Sequence, residues 1–141
     1  MIQETSGPIY LDSNVFIYAV EGSGPYRNAV ERLFQGFGGA FATTTSELTI
    51  AECLIGAGSP ELVALYLDLL DDEEVVRTIP VTRSILEAAV RFGNEREAKL
   101  ADAIHVATAV ATGCGTFVSN DFRIKLPPQL HKLDFGDLST E

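Results

Sequence analysis

The stretch that decides the fold is residues 98–118, AKLADAIHVATAVATGCGTFV. Residues 98–111 are apolar nearly all round at helical spacing and end just before Gly113, which predicts a buried helix. Thr116-Phe117-Val118 then predicts a strand. A buried helix that leads directly into a short apolar strand is typical of α/β proteins, in which helices cover a parallel sheet.

The same alternation of strands and helices extends along the rest of the chain. The other predicted strands are 9–11, 41–43, 75–79 and a weak one within 130–135. The other predicted helices are 25–37, 46–57, 61–70 and 82–93, the third opened by Ser59 and Pro60. We therefore predict a parallel sheet of four to five strands with helices on both faces, and irregular structure at the C-terminus.

Length and composition favour one ordinary globular domain over residues 1–141. Apolar residues make up 46% and charged residues 21%, which argues against a disordered or fibrous chain. No apolar stretch is long enough to span a membrane, and residues 1–8 do not resemble a signal peptide. Cys53 and Cys114 lie far apart, without metal-ligand spacing, so we expect a cytoplasmic protein without disulfides or zinc.

The charge of the chain is strongly acidic. Twenty acidic residues against ten basic ones give a net charge of −10. Because affinity for a nucleic-acid backbone depends on lysine and arginine contacts, the composition alone argues against a nucleic-acid-binding protein.

Two aspartates directly follow predicted strands. Asp12 ends the strand 9–11, and Asp121 comes just after the strand 116–118. Both side chains are therefore expected at the C-terminal edge of the sheet, where ligands bind in α/β proteins. The alternative for each is a helix cap or a turn, which aspartate also favours.

Glu52 lies on the predicted core-facing side of the helix 46–57. The apolar positions on the same stripe are Leu48, Ala51 and Ile55. A carboxylate is rarely buried unless it is paired or binds a metal ion. The alternative is a capping box, Thr49-x-x-Glu52, which would move the start of the helix to about residue 50.

Asp102 interrupts the apolar pattern of the buried helix 98–111. The alternative is a polar arc that faces water, formed by Lys99, Asp102, His105 and Thr108. His105 is a candidate metal ligand, but a hydrogen-bonded structural role is favoured.

Four carboxylates at one sheet edge would repel one another unless cations neutralise them. Ligands that are all oxygen suit Mg²⁺ or Mn²⁺. Acidic sites that hold such ions are typical of phosphodiester hydrolysis, and the bound ions would offset the charge that argues against nucleic acid.

Four segments resemble the successive motifs of PIN domains, a ribonuclease family, in the family's order and spacing. The segments are 10–14, YLDSN; 46–52, SELTIAE; 100–109, LADAIHVATA; and 117–121, FVSND. The resemblance covers about residues 9–135. It implies a three-layer α/β/α fold with a central parallel sheet. It also implies hydrolysis of RNA with Mg²⁺ or Mn²⁺, which leaves a 5′ phosphate and a 3′ hydroxyl.

Carried over position by position, the resemblance assigns roles to individual residues. The catalytic, metal-binding carboxylates would be Asp12, Glu52, Asp102 and Asp121, with Asp12 and Asp102 holding the principal ion. Asn14 would support Asp12, and Ser119, where threonine is commoner, would orient a water or ligand. The candidate contacts to substrate phosphates are Arg96, Lys99, Arg123 and Lys125, for each of which ordinary surface charge is the alternative.

Small single-domain members of this family are mostly VapC-type toxins, which implies a homodimer and an antitoxin partner whose tail enters the site. The helix 61–70 has more apolar surface than one face needs, which fits either a dimer interface or burial within the monomer.

Two other functions stay open: a catalytically silent module that binds RNA or protein, and a metal-dependent phosphohydrolase for small phosphate esters. The chain has neither a D-x-D after its first strand nor a glycine-rich phosphate loop, which disfavours the second.

Overall fold

The computed structural model of the chain describes residues 7–34 and 43–139, and its centre is an all-parallel sheet. The strands within these residues are β1 (Ile9–Leu11), β2 (Thr43–Ser46), β3 (Arg77–Ile79), β4 (Thr116–Val118) and β5 (His131–Leu133). Their order across the sheet is β3-β2-β1-β4-β5. The chain thus adds strands first on one side of β1 and then on the other. Such a reversal creates a crevice at the C-terminal ends of β1 and β4.

Helices cover both faces of the sheet. Within the described residues they are α1 (Ser13–Glu21), α2 (Arg27–Leu33), α3 (Glu47–Ile55), α4 (Pro60–Leu70), α5 (Arg83–Arg96), α6 (Leu100–Ala111) and α7 (Phe135–Ser139). Leu11 and Val118 pack with α1 to α4 and α7 on one face, whereas Tyr10 and Phe117 pack against α6 on the other. Helix α5 packs on α6. The predicted three-layer fold with a parallel sheet is therefore confirmed.

None of the helices in residues 7–34 and 43–139 has the length and apolar character that crossing a membrane requires.

Several elements have the predicted bounds. Strand β4 spans the predicted residues, and α4 begins at Pro60 after Ser59, whose hydroxyl accepts the Leu62 N–H at 3.2 Å. Helix α6 is buried from Ala103 to Ala109, as its apolar pattern predicts. Leu65 on α4 stays 53% exposed, so burial within the monomer does not account for all of that helix's apolar surface.

Helix α1 is the main element that the sequence did not predict. Its residues Val15 to Val20 are consecutive and apolar, with β-branched members, so they lack the helical stripe that periodicity detects. The helix forms because Asp12 caps its first turn and because Val15 and Phe16 are buried in the core. Tertiary packing here outweighs local preference.

Two predicted elements extend outside the described residues. The helix predicted over 25–37 is observed as the shorter α2, and Phe37 with the glycine pair after it lies outside the description. The strand predicted at 41–43 is described only from Thr43, and it continues to Ser46 as β2.

Other boundaries differ by a few residues. Strands β3 and β5 are shorter than predicted, α3 ends two residues early, and α6 begins at Leu100. A short helix, α7, stands where irregular structure was expected. Helix α5 passes through Gly93 to Arg96, and Glu97 ends it in a left-handed conformation with φ 54°. This turn leads the chain directly into α6, so that Asp102 lies in the first turn of that helix.

Both cysteines are free and buried. Burial, with the negative charges of Glu52 and Glu21, raises the pKa of the Cys53 thiol to about 12, and burial also raises the pKa of Cys114. Because the thiolate is the reactive form, we expect neither thiol to react with DTNB near pH 8 until the protein is unfolded. Both should then react, which calibrates the assay. Fast modification of either thiol in the native protein would contradict this packing.

Candidate active site

Asp12 stands at the crevice between β1 and β4 and is 6% exposed. Its backbone N–H donates to the Val118 carbonyl at 3.0 Å, which joins the ends of the two strands. Its Oδ1 accepts the Ser13 N–H at 2.8 Å and so caps α1. Both interpretations of Asp12 from the sequence are thus compatible: the carboxylate caps a helix and also lies at the C-terminal edge of the sheet.

A serine hydroxyl fixes the other oxygen of Asp12. Ser119 Oγ donates to Asp12 Oδ2 at 2.8 Å and accepts from Asn14 Nδ2 at 3.1 Å and from the Asp121 N–H at 3.1 Å. Asn14 Nδ2 is also 3.4 Å from Asp12 Oδ2, and Asn14 Oδ1 accepts the Asn120 N–H at 3.2 Å. This bridge sets the orientation of Asp12 and links it to the loop that carries Asp121.

His105 joins the first strand to Glu52 from within α6. It is 1% exposed, its Nδ1 is 2.6 Å from the Tyr10 hydroxyl, and its Nε2 is 2.6 Å from Glu52 Oε1. Nε2 also lies 3.6 Å from Asp12 Oδ1. Each ring nitrogen therefore has a partner, which fixes the ring in the core beside the acidic residues.

His105 and Glu52 each stabilise the charged form of the other. Burial lowers the pKa of His105, but the Glu52 hydrogen bond and the charges of Asp12, Glu52 and Asp102 outweigh it and raise that pKa above its ordinary value. Partial burial raises the pKa of Glu52, but the hydrogen bond and charge of His105 outweigh it and lower that pKa. Both shifts favour a carboxylate hydrogen-bonded to a protonated imidazole.

The predicted environment of Glu52 is wrong in detail. The buried residues of α3 are Thr49 and Cys53, whereas Ile55 is 89% exposed, so the predicted core-facing stripe does not exist. The capping-box alternative is also wrong, because Ser46 caps the helix by accepting the Leu48 N–H at 3.0 Å. Glu52 is half-buried because it reaches towards α6, where His105 holds it. The pairing joins two helices that are distant in sequence, so the sequence carried no direct signal for it.

Asp102 is half-buried in the first turn of α6. Burial is the main cause that raises the pKa of its carboxyl group, and the charges of Asp12 and Asp121 raise it further. The Asp102 carboxylate is thus close enough to Asp12 and Asp121 to be repelled by both. The alternative interpretation, a polar arc that faces water, is wrong, because His105 and Thr108, which continue the arc, are both buried.

Asp121 lies in a turn after β4 with basic neighbours. Its Oδ1 accepts the Arg123 N–H at 2.9 Å and the Arg123 Nε–H at 3.2 Å, and these bonds lower the pKa of the Asp121 carboxyl. Lys132 Nζ donates to the Asp121 carbonyl. Lys132, on β5, was not among the basic residues predicted from the sequence, because only the sheet order brings that strand beside β4.

A cleft of about 140 Å³ opens beside these acids. Its lining residues are Glu97, Ala98, Lys99, Asp102, Asp121, Arg123 and Lys125. Lys125 Nζ donates to the Arg96 carbonyl at 2.8 Å, but the Arg96 guanidinium lies over the Phe92 ring, 5.9 Å from its centroid, and does not line the cleft. Of the predicted cationic residues, Lys99, Arg123 and Lys125 therefore share the cleft with Asp102 and Asp121.

The donor set can be compared with the needs of a divalent cation. Asp12, Asp102 and Asp121 offer only oxygen, and the Asp102 carboxylate has no hydrogen bond or ion pair to the described part of the chain. Within residues 7–34 and 43–139, no three His, Cys, Asp or Glu side chains stand close enough to form a ready-made metal cluster. Donor chemistry and unneutralised charge thus fit Mg²⁺ or Mn²⁺, while a complete ligand shell is not preformed.

Comparison with known proteins agrees with this geometry. The PIN domain family model matches residues 9–128. No curated protein sequence matches the chain. The structure is similar to one in a toxin–antitoxin complex from Klebsiella pneumoniae, with a TM-score of 0.71 and 19% identity over 87% of this chain and 95% of that one.

Two further solved structures share the fold. One is VapBC2 from Rickettsia felis bound to a promoter DNA fragment, with a TM-score of 0.66 and 20% identity over 89% of this chain and 98% of that one. The other is VapC20 of Mycobacterium tuberculosis, a toxin that cleaves the sarcin-ricin loop, with a TM-score of 0.58 and 22% identity over 77% and 86%. At these identities the likeness establishes the three-dimensional fold.

Proposed function

Because the chain belongs to the PIN domain family, we propose that it is a ribonuclease that hydrolyses phosphodiester bonds with the help of Mg²⁺ or Mn²⁺. The observation that carries the proposal is the half-buried Asp102 carboxylate, which shares a cleft with Asp121 and lies within the electrostatic reach of both Asp12 and Asp121. A carboxylate held beside others of the same charge is stabilised by a bound cation. The adjacent basic side chains offer contacts for phosphate.

The proposed metal-holding residues are Asp12 and Asp102, completed by Asp121 and Glu52. When bound, a divalent cation supplies positive charge for the transition state and makes water more acidic. Ser119 and Asn14 hold Asp12 in one orientation through bonds to its Oδ2. His105 holds Glu52 through Oε1 and keeps this carboxylate ionised.

Substrate contacts fall to the basic side of the cleft. Lys99 and Lys125 line it, while Arg123 bridges to Asp121 with a largely exposed guanidinium. These cations offset, at this one place, a chain whose net charge is −10. Because the contacts are few, the affinity is expected to fall only modestly with salt and to depend on the shape of the RNA.

The test is cleavage of total RNA, transfer RNA included, by purified protein with Mn²⁺, with Mg²⁺ and with EDTA. We expect fragments in the presence of either cation and none in EDTA, because the carboxylates alone neither activate water nor stabilise the charge of the transition state. Fragments should carry a 5′ phosphate. Nucleotide and sugar phosphates serve as controls: hydrolysis of these but not of RNA would favour the small-ester phosphohydrolase. Absence of both RNA cleavage and metal binding would favour the silent module, whereas metal binding without cleavage would indicate a nuclease with a narrower target.

We also propose that the enzyme acts in the cytoplasm as the toxin of a toxin–antitoxin pair and forms a homodimer. Support comes from the related structure described as a toxin–antitoxin complex and from the free, buried cysteines, which suit a reducing compartment. An apolar groove of about 330 Å³ between α1, α2 and α4, which includes Phe34, Leu65 and Leu69, provides protein-binding surface away from the acids. Induced expression in a bacterial host should arrest growth, and co-expression of the antitoxin should restore it.

A further inference from the structure

Phe122 is the most exposed aromatic side chain beside the acidic site. It is 80% exposed and lies between Asp121 and Arg123. Core packing does not explain an aromatic ring in this position, because the next apolar residue, Ile124, supplies the buried contact of the turn. The ring is therefore available to a ligand, and its two chain neighbours, Asp121 and Arg123, line the cleft.

The backbone that presents this ring is fixed on both sides. The Asp121 N–H donates to Ser119 Oγ at 3.1 Å, and the Arg123 N–H donates to Asp121 Oδ1 at 2.9 Å. The Ile124 N–H donates to the Asp121 carbonyl at 3.4 Å, and Ile124 is 8% exposed. An ordered turn lowers the conformational cost of ligand binding.

One basic side chain lies over the ring, and another follows it in the chain. Lys132 Nζ lies over it, 5.9 Å from the centroid, while the same ammonium group donates to the Asp121 carbonyl. Arg123 directly follows Phe122 in the sequence, and its side chain is 82% exposed. An aromatic face flanked by cations matches a nucleotide, whose base stacks while its phosphates meet the charges.

We propose that Phe122 is a stacking platform for one unpaired base of the RNA substrate, next to the phosphodiester held at the acidic site. The inference rests on the proposed ribonuclease function and adds to it a preference for unpaired RNA over duplex RNA. Bases within a duplex are already stacked on each other and cannot use the ring, whereas loops and single strands can. The platform thus selects RNA whose bases are unpaired at the site of cleavage.

The test compares binding of a fluorescein-labelled single-stranded RNA of mixed sequence with that of a duplex of the same composition, by anisotropy in EDTA. Phe122→Ala should weaken single-strand binding about 5- to 150-fold, the range expected for loss of one base stack. Phe122→Tyr should retain binding, and Phe122→Leu should lose it as alanine does, because leucine is apolar without a π face. Ile55→Ala, an exposed apolar change at the end of α3 outside both the cleft and the apolar groove, is the matched control and should change nothing.

A second readout reports stacking itself. An RNA that carries 2-aminopurine should lose fluorescence on binding the parent protein and the tyrosine variant, but not the alanine or leucine variants. Equal affinity and equal quenching in all variants would overturn the platform and leave the ribonuclease intact. A parent protein that neither binds nor cleaves RNA would overturn both, and cleavage of RNA in Mn²⁺ by the parent distinguishes the two failures.

Discussion

Asp102→Asn is expected to lower metal-dependent cleavage of RNA at least about 100-fold, since loss of even an outer-sphere partner of a metal costs about 10- to 100-fold. The amide keeps the size of the carboxylate but removes the charge that repels Asp12 and Asp121. Cleavage rates in Mn²⁺ give the measurement. The same variant should allow growth of a host that the parent protein arrests.

The fold of the Asp102→Asn variant should remain intact. Loss of a negative charge in the first turn of α6 weakens a favourable helix-dipole interaction, while relief of repulsion acts in the opposite direction. The free energy of unfolding without metal should therefore change by less than about 1 kcal/mol. In the parent, Mn²⁺ at about 100 times its Kd should raise Tm by about 5–10 °C, and this rise should disappear in the variant.

Asp68→Asn is the matched control for this prediction, because it makes the same chemical change on the exposed side of α4. It should keep both full cleavage and the Mn²⁺-dependent rise in Tm. Full activity in Asp102→Asn, or an equal loss in the two variants, would refute the assignment of Asp102 to the metal site.

His105→Ala is expected to lower the free energy of unfolding by about 2–4 kcal/mol. The change opens a cavity at a side chain that is 1% exposed, and it leaves the Tyr10 hydroxyl and Glu52 without their partner. Urea unfolding gives the measurement. Under conditions where the variant is folded, cleavage should fall about 10- to 100-fold, because Glu52 is no longer held in place.

The chain carries its own control for this result. His131, the second histidine, is exposed on β5, and the hydrogen bond that it donates to Gly115 comes from its backbone. His131→Ala should therefore change stability by no more than about 0.5 kcal/mol. Tyr10→Phe, which removes only one bond to His105, should cost about 1–2 kcal/mol. Similar stability of His105→Ala and His131→Ala would contradict a structural role for the buried contacts of His105 with Tyr10 and Glu52.

Much of this architecture could be predicted because local signals agree with the final structure. Strand β4, the capped start of α4 and the buried helix α6 each have composition and spacing that match their environment. Helix α1 could not be predicted, since its apolar residues are consecutive and only packing against the sheet makes them helical.

In the site, too, some residues could be predicted from the sequence and others only from the tertiary structure. Asp12 and Asp121 stand out from the sequence because each follows a strand, and the parallel sheet brings the ends of β1 and β4 together. The pairing of Glu52 with His105 depends on how α3 meets α6, which no spacing within one helix reveals. Lys132 likewise reaches the turn of Asp121 and Phe122 because β5 lies beside β4.

The bond between Ser119 and Asp12 spans 107 positions of sequence. A ribosome therefore synthesises the first acidic residue long before the strand that orients it, and the N-terminal part of the chain emerges first. Nascent chains and fragments that stop short of Ser119 lack this residue, Asp121 and the turn that carries Phe122. Under the proposed function, a growing chain therefore completes its acidic site only after synthesis has passed these residues.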